Sequence, residues 1–273
     1  MRIPIRTSRW AIWARRIASL ALPLEVIPVL MHRERMIGSD AFTLLFAIGL
    51  ALAALAVAVS IIALMRLWQS GFRGWSRTLQ ALLLGLFLVA PAGIAISWAV
   101  TYPPTNDVAT LGPLPELAIA RNPLAHRLAE AETLRAFPNA VARTYPMAPG
   151  DVFDLAVGLV TERQWEARIR RRPVAPAYQG RIHALAMTLL GFRDEVAILI
   201  DWTESGTIVS MRSASLFGVD DLGTNGKRIE AFLIDLDAAV TEAQRRAPII
   251  EGLTPGSANP PAEDATDGAA DGG

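Results

Sequence analysis

Cysteine is absent from the 273 residues of the chain. Disulfide bridges, a cysteine nucleophile and thiolate metal sites are therefore excluded. The sequence also has no Gly-x-Ser-x-Gly elbow, phosphate-binding glycine loop, dinucleotide fingerprint or His-Glu-x-x-His helix. No motif therefore indicates an enzyme, and we expect neither a cofactor nor a bound metal.

Basic residues are limited in kind and unevenly distributed. Lys227 is the single lysine among 26 basic side chains, so arginine supplies nearly all of the positive charge. Residues 1–101 hold ten arginines against three acids, whereas residues 102–273 carry more acids than bases. The second part therefore lacks a broad basic surface, and we expect no nucleic-acid partner.

Two long apolar runs contain no charged residue, at residues 43–65 and 79–100. At about 1.5 Å of rise per residue, each is long enough to cross a bilayer as a helix. The segment 66–77 between them has three arginines and no acid. Short basic loops stay in the cytoplasm, so residues after the second run are expected on the opposite side, with the lipid bilayer as a partner.

A third apolar segment, at residues 13–31, is weaker because it contains Glu25 and two prolines. An interfacial helix and a cleavable signal peptide are alternative interpretations of it. We predict that it spans, since otherwise the five arginines within the first 16 residues would face outward. Residues 1–101 are thus predicted to form a multi-pass domain of a bacterial inner membrane, with a cytoplasmic N-terminus and a periplasmic C-terminal domain.

The remainder divides into three parts by composition. Residues 102–136 are a proline-rich linker with a possible short helix, residues 137–248 form a small folded domain, and residues 249–273 are predicted to be disordered. Within the domain, a helix is predicted from about residue 149. Strands are predicted at residues 164–169, 181–192, 195–202 and 207–215.

Arg193-Asp194 and Glu204-Ser-Gly206 are predicted to form tight turns between the last three strands. A final helix is indicated by the apolar stripe Ile229, Phe232, Leu233, Leu236 and Val240. The predicted fold is an antiparallel sheet with helices packed on one face, an α+β class, behind an α-helical membrane part.

The densest polar segment is Arg212-Ser-Ala-Ser-Leu-Phe-Gly-Val-Asp-Asp-Leu-Gly-Thr-Asn-Gly-Lys-Arg228. Together with Tyr102-Pro-Pro-Thr-Asn-Asp107, Phe137-Pro-Asn139 and Gly191-Phe-Arg-Asp-Glu-Val196, it resembles the signature of domain of unknown function 1499 (DUF1499). The resemblance covers roughly residues 102–240 and implies a membrane-anchored bacterial member, without implying an activity. The family usually has an arginine where this chain has Leu216, which weakens any anion site that depends on it.

Side chains alternate along a strand, so Ser213 and Ser215 are expected on the core face and Arg212 on the opposite face. Asp220 and Asp221, or Thr224 and Asn225, are candidate caps of the final helix. Alternatively, the helix N-terminus with its basic side chains binds an anion, or a cation is held by Asp107 and the two aspartates.

We expect a binding or interaction module for an anionic envelope component, such as a lipid or a membrane-protein partner. The candidate ligand-binding residues are Asp107, Arg212, Ser213, Ser215, Asp221, Asn225, Lys227 and Arg228. A hydrolase or transferase using Ser213 or Ser215 is one alternative. A structural subunit of a membrane complex is another.

Overall fold

The computed structural model describes residues 7–119 and 122–246. Its first part is a bundle of three helices, α1 (Arg9–Arg33), α2 (Ser39–Ser70) and α3 (Trp75–Thr101). Small side chains form the seams between the helices, including Ala14, Ala56 and Ala81. Small residues allow helix backbones to approach closely, which is how helices associate in lipid.

Two of these helices, α2 and α3, are long and apolar enough to cross a membrane. Many of their large apolar side chains point outward, as in Leu44 and Phe87. The structure therefore supports two spans of the three predicted. The segment predicted at residues 13–31 is helical within α1, but only sixteen residues separate Arg16 from Arg33 and Glu25 interrupts them.

Six strands form one antiparallel sheet: β1 (Asp107–Ala109), β2 (Arg143–Tyr145), β3 (Glu166–Arg171), β4 (Gly180–Met187), β5 (Arg193–Thr203) and β6 (Gly206–Ser215). Their order is β1-β6-β5-β4-β3, and β2 pairs with the other end of β6. The predicted antiparallel sheet is thus confirmed. The strand predicted at 164–169 is displaced by two residues at both ends.

One predicted turn is wrong. Arg193 and Asp194 belong to β5, and the chain reverses over residues 188–192 instead. Gly191 has a φ of 90° in this turn, a backbone conformation that glycine adopts without strain. The shift matters because it points the Asp194 side chain to the helix-covered face of the sheet, where it meets Arg228.

The core lies between the sheet and two helices, α5 (Pro149–Glu162) and α6 (Thr224–Arg246). All five residues of the predicted α6 stripe are buried. They pack on inward-facing strand residues such as Ile198 and Met211, and α5 adds Val152 and Ala156. Successive strand residues point to opposite faces of a sheet, so the strand residues in this core mark a single face. Both long helices of the domain pack on that face.

Residues 102–136, predicted as a linker, contribute to the folded domain. They supply β1 and a short helix, α4 (Glu130–Ala136). The backbone N–H groups of Ala118 and Ile119 donate to the buried Glu195 carboxylate on the second face of the sheet. Residues 118–119 therefore lie against that face, whereas Val108 and Leu128 of the same segment belong to the core. The predicted disordered tail, residues 249–273, lies outside the described residues.

Candidate functional site

A buried polar network joins β6 to the start of α6. The Ser213 hydroxyl donates to the Asn225 side-chain oxygen at 2.7 Å, and Arg228 Nη1 donates to both groups at 2.8 and 2.6 Å. Arg228 Nη2 donates to Asp194 Oδ2 at 2.5 Å. The Arg228 side chain is 10% exposed and that of Asp194 only 2%. The guanidinium charge is therefore compensated inside the domain.

Asn225 links this network to the segment that leaves the helical bundle. Its Nδ2 donates to the Ser215 hydroxyl at 3.0 Å and to the Asn106 carbonyl at 3.2 Å. Asn225 and Asn106 are both fully buried. Since buried polar groups need hydrogen-bond partners, these contacts fix the relative positions of β6, α6 and residues 105–107.

Asp221 caps α6. Its two carboxylate oxygens accept hydrogen bonds from the backbone N–H of Gly223 at 2.7 Å and of Asn225 at 3.1 Å. Burial, with a contribution from the nearby negative charge of Asp194, raises the pKa of Asp221 to about 6, although the two backbone hydrogen bonds oppose this shift. Of the predicted capping candidates, Asp221 satisfies the first turn of the helix.

Arg212 lies on the opposite face of the sheet, as the strand alternation predicts. Its Nε and Nη2 atoms donate to the two oxygens of Asp107 at 2.9 and 2.5 Å. Asp107 is on β1, in which Ala109 is the register partner of Arg212. The hydrogen bond with Asp107 raises the pKa of Arg212. This bidentate pair therefore fastens β1 to β6 and makes no contact with Ser213.

Lys227 lies apart from both ion pairs. Its ammonium group is 4.2 Å from the ring centre of Tyr102 and 4.8 Å from that of Trp98. Tyr102 in turn stacks on Phe137. Two motif glycines make room for these rings, since a Cβ at Gly223 would lie 2.5 Å from Tyr102 and one at Gly226 would lie 2.4 Å from Phe137.

The eight predicted ligand-binding residues thus form three separate contacts, around Arg228, Arg212 and Lys227. Each of these cations already faces an internal carboxylate or aromatic ring. The side chains that contact Ser213 and Ser215 within the described residues are an amide and a guanidinium, so neither hydroxyl has a base. In the same part of the chain, no group of three His, Asp or Glu side chains is arranged to hold a metal ion.

A cleft of about 360 Å³ lies where the domain meets the helical bundle. We call it the junction cleft: it is bounded by the α1–α2 turn, residues 32–39, and by the β4–β5 turn with neighbouring residues of β5 and β6. His32 Nδ1 lies 2.8 Å from the Leu190 carbonyl oxygen, and Arg33 Nη1 donates to the Leu189 carbonyl at 2.7 Å. Gly191 is required here, since a Cβ would lie 2.9 Å from His32 Nδ1. The two turns are therefore fitted closely to each other.

Three arginines line the junction cleft, Arg33, Arg35 and Arg193. Within residues 7–119 and 122–246, no aspartate or glutamate lines it. Arg35 forms an exposed ion pair with Glu166 at 2.8 Å, and such pairs stabilise little. No side chain of the described residues pairs with the Arg193 guanidinium. Met36, Met187 and Phe217 add apolar surface, so the cleft combines positive charge with an apolar wall.

The sequence contains little that would reveal this cleft. Residues 32–35 and 188–193 are more than 150 positions apart, and neither stretch carries a binding motif. The turn predicted around Arg193 is a local signal in one of them, and it indicates a fold element and not a binding site.

Fold and sites together define a helical, largely apolar N-terminal region followed by a small α+β domain with a buried polar motif. Residues 125–236 match the family described as "Protein of unknown function (DUF1499)". The match confirms the resemblance noted in the sequence, and the matched residues include five of the six strands of the α+β domain, β2 to β6. No curated protein matches the chain.

Proposed function

We propose that the protein is a membrane-anchored binding module that presents its DUF1499 domain at the outer surface of a bacterial inner membrane. In this proposal α2 and α3 anchor the chain, and α1 runs beside them as a third span. The pairing of Ala14 with Ala56 and of His32 with Phe42 supports an antiparallel course for α1 and α2. The domain then lies on the side opposite the basic segment 66–77, which is the periplasmic side.

The module binds an anionic envelope component in the junction cleft. The observation that supports this assignment is the concentration of three guanidinium groups around one cleft without a lining carboxylate. Arg212 and Arg228, by contrast, are each neutralised by a buried aspartate. A ligand at those positions would have to displace an internal ion pair, whereas an anion in the junction cleft finds Arg193 unpaired.

The alternative of a serine hydrolase or transferase gains no support from the geometry. A serine nucleophile needs a base within about 2.6–3.2 Å. Ser213 is fully buried and contacts Asn225 and Arg228 at that range. The competing proposal is a purely structural subunit of a membrane complex. A structural subunit would carry no bound anionic molecule, and this difference separates the two proposals.

The test is native mass spectrometry of the full chain purified from bacterial membranes in a neutral detergent. We expect an anionic molecule to be retained by the wild type and by Arg170→Gln, and to be lost from Arg193→Gln. Arg170 is a matched control: it is exposed on β3 opposite Ile182, about 16 Å along β4 from Met187 at 3.3 Å per residue. Equal retention by Arg193→Gln, or no anionic adduct on the wild type, would refute the proposal.

The topology is tested by fusing reporters after residue 246. Alkaline phosphatase, active only outside the cytoplasm, should be active there, and a green fluorescent protein at the same position should stay dark. A fluorescent fusion combined with an inactive phosphatase would put the domain in the cytoplasm and contradict this part of the proposal.

A further inference from the structure

The junction cleft lies at the depth of lipid phosphates if α2 crosses the membrane. Ser39, the first residue of α2, lines the cleft. The hydrocarbon layer is about 30 Å thick and α2 has 32 residues, so its first turn reaches the headgroup region. Any phospholipid packed against the start of α2 therefore carries its phosphate to the level of the cleft.

Exposed apolar side chains flank the same cleft on both turns. Leu189, at the tip of the β4–β5 turn, is 84% exposed, and Met36, in the α1–α2 turn, is 70% exposed. The Leu189 backbone is fastened to Arg33, so this side chain is held beside the end of α1. Burial of leucine and methionine side chains away from water is favourable, and acyl chains at the membrane surface provide that burial.

The polar side of the cleft suits a phosphate. Guanidinium groups bind phosphate oxygens through paired, charge-assisted hydrogen bonds. Arg193 is unpaired among the described side chains, and Arg33 uses only Nη1 for the carbonyl oxygens of the β4–β5 turn. The N-terminus of α2 also adjoins the cleft, and Gly38 gives it no side-chain cap. Glu34, Asp40 and Asp194 each follow a lining residue in sequence, and none of the three lines the cleft.

Resting on the function proposed above, we infer that the ligand is an anionic phospholipid. Its phosphate lies between Arg193 and Arg33, and its acyl chains pass Leu189 and Met36 into the bilayer. A soluble phosphate ester would present the same anionic group to the arginines. What distinguishes a lipid is the apolar contact outside the cleft.

The experiment compares three probes on the full chain in neutral detergent: phosphatidylglycerol, phosphatidylcholine and glycerol phosphate. We expect phosphatidylglycerol to bind at least about tenfold more tightly than either of the others. Arg193→Gln should weaken its binding about tenfold or more, because a charge-assisted hydrogen bond is lost. Arg170→Gln should bind it as the wild type does.

A double variant, Leu189→Ser with Met36→Ser, tests the apolar contact separately. It should weaken phosphatidylglycerol binding and leave glycerol phosphate binding unchanged. The matched control is Val174→Ser, an exposed apolar residue in the loop after β3, at the far end of the β3–β4 pair from Met187.

The outcomes separate the two proposals. If glycerol phosphate binds as tightly as phosphatidylglycerol and depends on Arg193, the lipid inference is overturned and the binding module stands. If phosphatidylcholine binds equally well, the selectivity for an anionic lipid is refuted. If no probe shows a dependence on Arg193, the lipid inference and the proposed function both fail.

Discussion

Arginine has opposite roles in two regions of this molecule. In the domain, Arg212 and Arg228 each donate to a buried aspartate, and their charges are cancelled where water is scarce. At the junction cleft, Arg193 has no side-chain partner among the described residues, and no acid of that part of the chain lines the cleft. The first arrangement holds strands and a helix together, and the second leaves positive charge available.

The comparison teaches that a dense polar motif is not necessarily a binding site. Residues 212–228 carry the strongest polar signal in the sequence, yet their side chains mainly satisfy one another. The junction cleft carries no sequence motif, but its Arg193 guanidinium has no side-chain partner among the described residues. Whether arginines can bind an anionic ligand depends less on how many cations lie near a cavity than on whether carboxylates lie beside those cations.

The largest expected effect is at the Asp194–Arg228 pair. Asp194→Ala leaves a buried guanidinium without its counter-charge and should lower the free energy of unfolding by about 3–5 kcal/mol. Hydrogen exchange of the β6 and α6 amides in detergent measures this loss. Asp154→Ala is the control, since it removes an exposed pair with Arg172. Equal losses in the two variants would contradict the claim that the buried ion pair matters more to stability than the exposed one.

The pH dependence of stability sharpens the account of Asp221. The pKa of this acid is raised in the folded domain to about 6, so its protonated form favours folding. The contribution is fully present below about pH 4 and is lost as pH rises through about 6, a change of about 2–3 kcal/mol. Unfolding titrations from pH 4 to 7 should show this fall in the wild type and in Asp220→Asn, but not in Asp221→Asn. Identical pH profiles for all three proteins would contradict the assignment.

Two glycines form a matched pair within helices. Gly226→Ala drives a methyl group to 2.4 Å from the Phe137 ring and should cost about 1–3 kcal/mol. Gly158→Ala, on α5, meets no atom within 4 Å and should stabilise by up to about 1 kcal/mol through helix propensity. Chemical denaturation compares them. A neutral or stabilising Gly226→Ala would show that the motif glycine does not serve the aromatic packing.

The smallest expected effect on stability is at the junction cleft. Arg193→Gln should change the free energy of unfolding by less than about 0.5 kcal/mol, because no described side chain pairs with this guanidinium. The same denaturation measurement checks it. A loss of stability comparable to that of Asp194→Ala would mean that Arg193 has a structural role. Loss of the anionic ligand from Arg193→Gln would then reflect unfolding.

Much of the domain follows from local periodicity. The apolar stripe of α6 is buried as predicted, and the meander of β4, β5 and β6 is present. The alternation along β6 also correctly separates Arg212 from Ser213. These features depend on spacing within one segment, which the sequence contains in full.

Other features depend on partners distant in sequence. β1 and β2 have three residues each and no apolar alternation. They form strands because they pair with the edge of β6, which lies about 100 residues after β1 and about 65 residues after β2. The junction cleft joins the α1–α2 turn to residues more than 150 positions later. The span predicted at residues 13–31 is helical within α1 but is not one of the two helices apolar enough to count as a span, because Glu25 interrupts its apolar character.

Photo-crosslinking in living cells tests the central claim most directly. Met187 lines the junction cleft and is half exposed, so a benzoylphenylalanine there reports what occupies the cleft. In cells labelled with radioactive phosphate, we predict a labelled phospholipid crosslinked at position 187, lost when Arg193→Gln is added, and absent from the same probe at Val174. No labelled lipid at position 187, or equal labelling at both positions, would contradict the claim.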